Sequence, residues 1–144
     1  MDLRIHKETA TRVPKTRMQR LLALIKAEEG KPSWRSTVNL VFTTDTRMRR
    51  LNREFRGVSR TTDVLSFNID DPAESGGVFG EVYISVPTAA RQARQRGLTL
   101  SQEYLRLVCH GLLHLFGYDH DVHETSTMKR REDHFLERLR GMRS

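Results

Sequence analysis

His110-Gly111-Leu112-Leu113-His114-Leu115-Phe116-Gly117-Tyr118-Asp119-His120 gathers three of the chain's six histidines into one short run. His110 and His114 stand four apart, which on a helix places them one above the other on a single face. Gly117 follows as a stop, because glycine adopts the left-handed conformation that ends helices without a Cβ penalty. The bend there swings the chain back and brings His120 towards the same point. Three neutral imidazoles converging without a fourth protein ligand are the pattern of a catalytic zinc, which keeps one position for water. One Zn2+ per chain is expected, held by His110, His114 and His120. A lone histidine on a helix is usually structural or solvated; the third at a fixed offset after a glycine argues against coincidence.

Upstream, Thr99-Leu100-Ser101-Gln102 reads as a capping box, so the motif helix begins near Leu100. Leu105, Leu107, Val108, Leu112, Leu113, Leu115 and Phe116 wrap most of its circumference, the mark of a central, buried helix. Glu103 and Arg106 share the line of His110 and His114. That stripe is expected to run outward to solvent, with the metal at its inner end. Cys109 points about 100° from His110 and is expected to be a small buried residue, not a ligand. Downstream, Asp121-Val122-His123-Glu124 resembles a second box opening a last helix, with Met128, Phe135, Leu139 and Met142 on its apolar side.

Towards the amino terminus, Leu3 and Ile5 alternate with polar residues in a short strand. Residues 13 to 29 read as a helix with Pro14 in its first turn and an apolar stripe of Met18, Leu21, Leu22 and Ile25. Trp34 to Thr43 alternates as a strand. Thr44 or Asp45 caps a helix running to Arg56, with Met48, Leu51 and Phe55 as its buried side and Arg49, Arg53 and Arg56 on another face. Val64 to Ile69 and Phe79 to Ser85 are strands on either side of the turn-rich stretch from Asp70 to Gly77, a pairing that need not be a hairpin. Pro87 opens a helix to Arg96. The interleaving implies an α+β single domain over residues 1–144: a mixed sheet of about four strands packed with helices, the metal-binding helix at the centre.

The 144 residues suit one domain with a real core. Net charge is +7, and arginine supplies 20 of the 25 basic residues. Arginine's planar fork binds phosphate and stacks on bases, so this bias suits nucleic acid. The one cysteine forms no internal disulfide, and no apolar run approaches membrane-spanning length. A cytoplasmic protein with no membrane partner is expected.

The run from His110 to His120 resembles the signature of the YbeY family, bacterial zinc-dependent endoribonucleases that mature ribosomal RNA. Leu51-Asn52-Arg53-Glu54-Phe55-Arg56-Gly57, followed by Thr62-Asp63-Val64-Leu65-Ser66-Phe67, resembles the family's other segment; the resemblance spans about Val38 to Leu139. It implies single-strand-specific cleavage in ribosomal RNA processing, at the 16S 3′ end, and in ribosome quality control. It also implies the small ribosomal subunit and assembly factors as partners. In the family an arginine ahead of that glycine is functionally important, which makes Arg56 the candidate phosphate-contacting or transition-state residue. Asn68 stands where the family usually has proline, and Glu81 where it usually has aspartate.

Asp119 is a candidate for orienting a ligand imidazole, since ligating histidines usually donate their other N–H; capping the turn after Gly117 is its other reading. Thr62, Asp63 and Ser66 are candidates to line the cleft. His6, His123 and His134 lack motif spacing. Two rivals stand beside the nuclease reading. Metzincin proteases share the histidine spacing, but they carry a glutamate base directly after the first histidine, where this chain has Gly111. A protease-like hydrolase would need Glu81 or Glu124 in its place. The other rival is an RNA-binding or ribosome-assembly factor whose zinc is structural.

Overall fold

The computed structural model describes residues 2–30, 37–69, 78–118 and 125–142. Period-two alternation builds its strands, β1 (Asp2–Lys7), β2 (Thr37–Thr43), β3 (Val64–Asn68) and β4 (Val78–Ser85). They form one mixed sheet in the order β1-β2-β4-β3, with β1, β2 and β4 parallel and β3 antiparallel to β4 at one edge. The helices are α1 (Lys15–Glu29), α2 (Asp45–Arg56), α3 (Val86–Arg96), α4 (Leu100–Leu115) and α5 (Thr125–Arg140). This is the expected α+β architecture. Trp34 and the stretches 70–77 and 121–124, to which strand, turn and capping roles were assigned, lie outside the described residues.

The register divides the helices between the two faces. Leu3, Val38, Leu40, Phe42, Val82 and Ile84 point to one side and pack with Met18, Leu21, Leu22 and Ile25 of α1 and the apolar surface of α4. The other face is smaller. There Leu65, Phe67 and Tyr83 meet Met48 and Leu51 of α2. Because successive strand residues alternate sides, α2 and α4 lie on opposite faces of the sheet.

α4 is central as expected, in contact with both β3 and β4 and with α1, α3 and α5. Its capping box is complete: Thr99 Oγ1 accepts from Gln102 N at 3.1 Å, and Gln102 Oε1 accepts from Thr99 N at 2.8 Å. The helix lies close on the sheet because Gly111 faces it. A Cβ there would stand 2.6 Å from Val82 Cγ1 and 3.1 Å from Ser66 Oγ. Gly111→Ala is therefore expected to lower stability by about 1–2 kcal/mol, overpacking outweighing alanine's better helix propensity. Urea unfolding of the variant checks this, and Val82→Ala in the same chain recovers part of the loss.

α2 settles one expectation and corrects another. Thr44 is its cap, accepting from Arg47 N at 3.2 Å. Asp45 instead reaches α3, accepting from Ser85 and from Thr88 Oγ1 at 2.6 Å and pairing with Arg91 at 3.1 Å. Burial pushes that carboxyl up, but those hydrogen bonds and the Arg91 charge outweigh it and hold it at about 2. Phe55 is not buried: it is 63% exposed. It sits in the last turn of α2, where its ring leans on Phe67 of the edge strand with nothing of the sheet beyond. Asn52 is buried in its stead, donating to Arg60 O at 2.9 Å. Met142 likewise lies exposed beyond the end of α5.

Candidate functional site

α4 carries His110 and His114 one turn apart, their ring centroids separated by 5.3 Å. The His110 ring lies against α5, and one turn further on Nε2 of His114 is buried. The side chain of His110 is 20% exposed. Its Nδ1 engages a carboxylate oxygen of Glu132, a side chain of α5 that is itself buried. With Nδ1 engaged by a carboxylate, Nε2 is the nitrogen through which the ring would bind a metal. An imidazole so held is fixed in ring orientation, which is what a metal ligand requires.

Glu132 was not anticipated from the sequence. It lies in the run Lys129-Arg130-Arg131-Glu132-Asp133, which reads as a solvated helix face. The signal that marks it is periodicity: Met128, Glu132, Phe135 and Leu139 form the buried line of α5. A carboxylate on an apolar stripe needs a partner, and His110 is that partner.

Three side-chain contacts brace the imidazole-bearing end of α4. Ser66 Oγ donates to Gly111 O at 3.0 Å, and Asn68 Nδ2 donates to Leu115 O at 3.0 Å. Asn68 thus satisfies one of the carbonyls a helix end leaves without a partner, a bond that proline could not make. Gly117 turns the chain with φ of 109°, and Tyr118 then donates to Glu29 of α1 at 3.0 Å. The stop falls where the sequence places it. His120, Asp119 and His123 lie outside the described residues, and no group of three metal-ligating side chains stands together among those described.

The stripe before His110 departs from expectation. Glu103 does not face solvent; it is wholly buried and takes both arms of Arg106, at 2.8 Å each. A bidentate guanidinium is what allows a carboxylate to be buried there. Arg106 also stands 4.0 Å from Asp63 at the start of β3. This pair ties α4 to the edge strand one turn before the imidazoles. Cys109 is buried as expected, its thiol pushed far up by burial, and it packs against α5 instead of joining the site.

The other named residues fall elsewhere. Glu81 shares the α2 face with Tyr83, whose hydroxyl donates to it at 3.5 Å, so alternation turns it away from the imidazoles. It cannot take the place of the missing protease base. Glu124 lies outside the described residues. Arg56 is exposed as the last residue of α2, just before the turn at Gly57. His134 pairs with Glu28 of α1 at 2.8 Å, and His6 is exposed on the edge strand β1.

Comparison with known proteins bears on the same residues. A family model described as endoribonuclease YbeY matches residues 3–140. An endoribonuclease YbeY of Chlorobaculum tepidum is 35% identical over 141 residues, covering 97% of this chain and 99% of that protein. One from an Anaeromyxobacter species is 43% identical over 105 residues, 73% of this chain and 55% of that longer protein. The solution structure of TM1509 from Thermotoga maritima superimposes with a TM-score of 0.63 at 28% identity, covering 96% of this chain and 89% of that one.

Proposed function

The chain belongs to the endoribonuclease YbeY family, so its chemistry is that of a nuclease acting on RNA, and from that premise we propose how its residues do this. The proposed cofactor is one zinc ion per chain, held by His110, His114 and His120. When bound, zinc supplies hydroxide at neutral pH and a Lewis acid for the scissile phosphodiester. The observation that carries the reading is the His110–Glu132 contact. A buried carboxylate on Nδ1 commits the other nitrogen of that ring to a ligand, and a nitrogen pair one helical turn apart suits a borderline-soft cation. With Glu132 already serving His110, Asp119 is left to orient His114 or His120.

Around that centre the chain supplies orientation and charge. Glu132 holds one imidazole. Ser66 and Asn68 fix the helix end that carries both. Arg56 is the proposed phosphate contact, chosen from the family segment in which it stands. The proposed substrate is single-stranded ribosomal RNA, cut in processing of the 16S 3′ end and in ribosome quality control, with the small ribosomal subunit and assembly factors as partners in the cytoplasm. No helix among the described residues is long and apolar enough to cross a membrane.

The test is metal content of the purified protein together with cleavage of single-stranded RNA and of peptides, before and after chelation. The expected result is one zinc per chain, RNA cut and peptides untouched, with activity lost to the chelator and regained with zinc. Peptide hydrolysis, or RNA cleavage indifferent to chelation, would refute the reading. Arg56→Ala is expected to fold, to bind RNA and to cut about tenfold more slowly, a modest loss because solvent screens its charge. Full activity in that variant would remove Arg56 from the mechanism.

A further inference from the structure

The α2 face of the sheet carries features that neither the metal centre nor the core explains. Phe55 is the most exposed large apolar side chain among the described residues. Its ring lies 5.0 Å from that of Phe67, which in turn lies 5.8 Å from Tyr83 at nearly a right angle. These three rings make a row climbing from the sheet surface to solvent, with Phe55 as its open end. Phe67 supports the Phe55 ring, and Tyr83 supports Phe67.

The charge around the row is one-sided. Arg49, Arg50, Arg53 and Arg56 are all exposed on α2, and none is ion-paired among the described residues. Arg49, Arg50 and Arg53, with Thr46, border a shallow hollow of about 190 Å3. Arg56 adjoins Phe55 in sequence, and Arg60 follows, its backbone held by Asn52. The acidic groups nearby are few. Asp45 is committed to α3, Glu81 lies beneath beside Tyr83, and Glu54 is the one exposed carboxylate of the helix. A bare row of arginines costs self-repulsion, which a solvated face relieves by interleaving glutamates. An anion with flat apolar parts, placed here, relieves both the unpaired charge and the bare ring.

We propose that Phe55 is a stacking platform for an unpaired base of single-stranded RNA, whose flanking phosphates are met by Arg56 and Arg60. This rests on the nuclease reading above and adds to it a binding surface on the far side of the β3 edge from the imidazoles. An exposed aromatic side chain with cationic neighbours is how sequence-tolerant single-strand binders hold their ligand. Bases of a duplex are not available to such a ring, so the same residue also confers preference for unpaired strands.

Fluorescence anisotropy with the full zinc-loaded chain tests this. The probes are a labelled single-stranded RNA of about a dozen nucleotides and its counterpart carrying abasic sites, each checked on a gel to be intact after the measurement. The wild-type chain is expected to bind the base-containing strand more tightly. Phe55→Ala is expected to lose about tenfold in affinity for that strand, to lose nothing on the abasic one, and to raise KM with little change in kcat. Phe55→Trp keeps affinity. Arg60→Gln flattens the salt dependence by about 0.7 in log–log slope, the amount one single-strand phosphate contact contributes.

Unchanged affinity in a folded Phe55→Ala chain would overturn the proposal, and so would an equal loss on both strands, which marks a packing defect. In either case wild-type binding and cleavage persist, and the nuclease reading survives. A wild-type chain that neither binds nor cuts any strand would instead defeat the nuclease reading itself.

Discussion

His114→Ala is expected to yield a folded protein that holds no zinc and cuts single-stranded RNA more slowly by on the order of a thousandfold or more. Folding survives because the core is assembled without the metal. α4 is held by Leu107, Val108, Leu112 and Leu113 against the sheet, α1 and α5, and these side chains are all but fully buried. On the proposed zinc centre the loss is large, because deleting one of three ligands would remove the source of the nucleophile and the Lewis acid together. A far-ultraviolet spectrum and a melting curve near those of the wild-type chain, with zinc absent and cleavage gone, are the expected set. If the variant unfolds as it loses zinc, the ion is structural and the assembly-factor rival gains. If it keeps cutting, the imidazole pair is not the active centre.

Glu132→Ala tests the residue that no motif announces. The carboxylate is buried against Nδ1 of His110, so its removal frees the ring to rotate and changes which nitrogen carries the proton. Losses of about 10- to 100-fold in metal affinity accompany such deletions. Competition against a chromogenic chelator measures this directly, without reference to turnover. Glu132→Gln separates charge from shape: it keeps the volume and an acceptor oxygen, and is expected to fall between the two. The ring nitrogens of His110, read by nitrogen-15 chemical shift, report the tautomer. Alanine and wild-type chains with equal zinc affinity and the same tautomer would leave Glu132 a packing residue only.

Much of this architecture was legible because it is written locally. The capping box at Thr99, the apolar girth of α4, the i, i+4 imidazoles and the glycine stop all depend on residues within a few positions of one another. What stayed hidden depends on partners distant in sequence. Glu132 reads as one charge among five until α5 is laid against α4. Glu103 and Arg106 read as a polar stripe, because their spacing does not reveal that they satisfy each other in a buried site. Phe55 fits the apolar period of α2, yet the helix outruns the sheet and leaves the ring bare. The insertion of β4 between β2 and β3 is equally non-local. It decides that Glu81 faces away from the histidines, a separation that spacing along the chain cannot express.

The two bonds from Ser66 and Asn68 to the carbonyls of α4 have a kinetic meaning. β3 has a neighbour on one side only, and strands at a sheet margin open first and most often. Each such opening releases the helix end as well, so amide hydrogen exchange in Leu65 to Asn68 and in Leu113 to Phe116 should rise and fall together. Inactivation on warming would then begin at a temperature where the rest of the sheet is still intact.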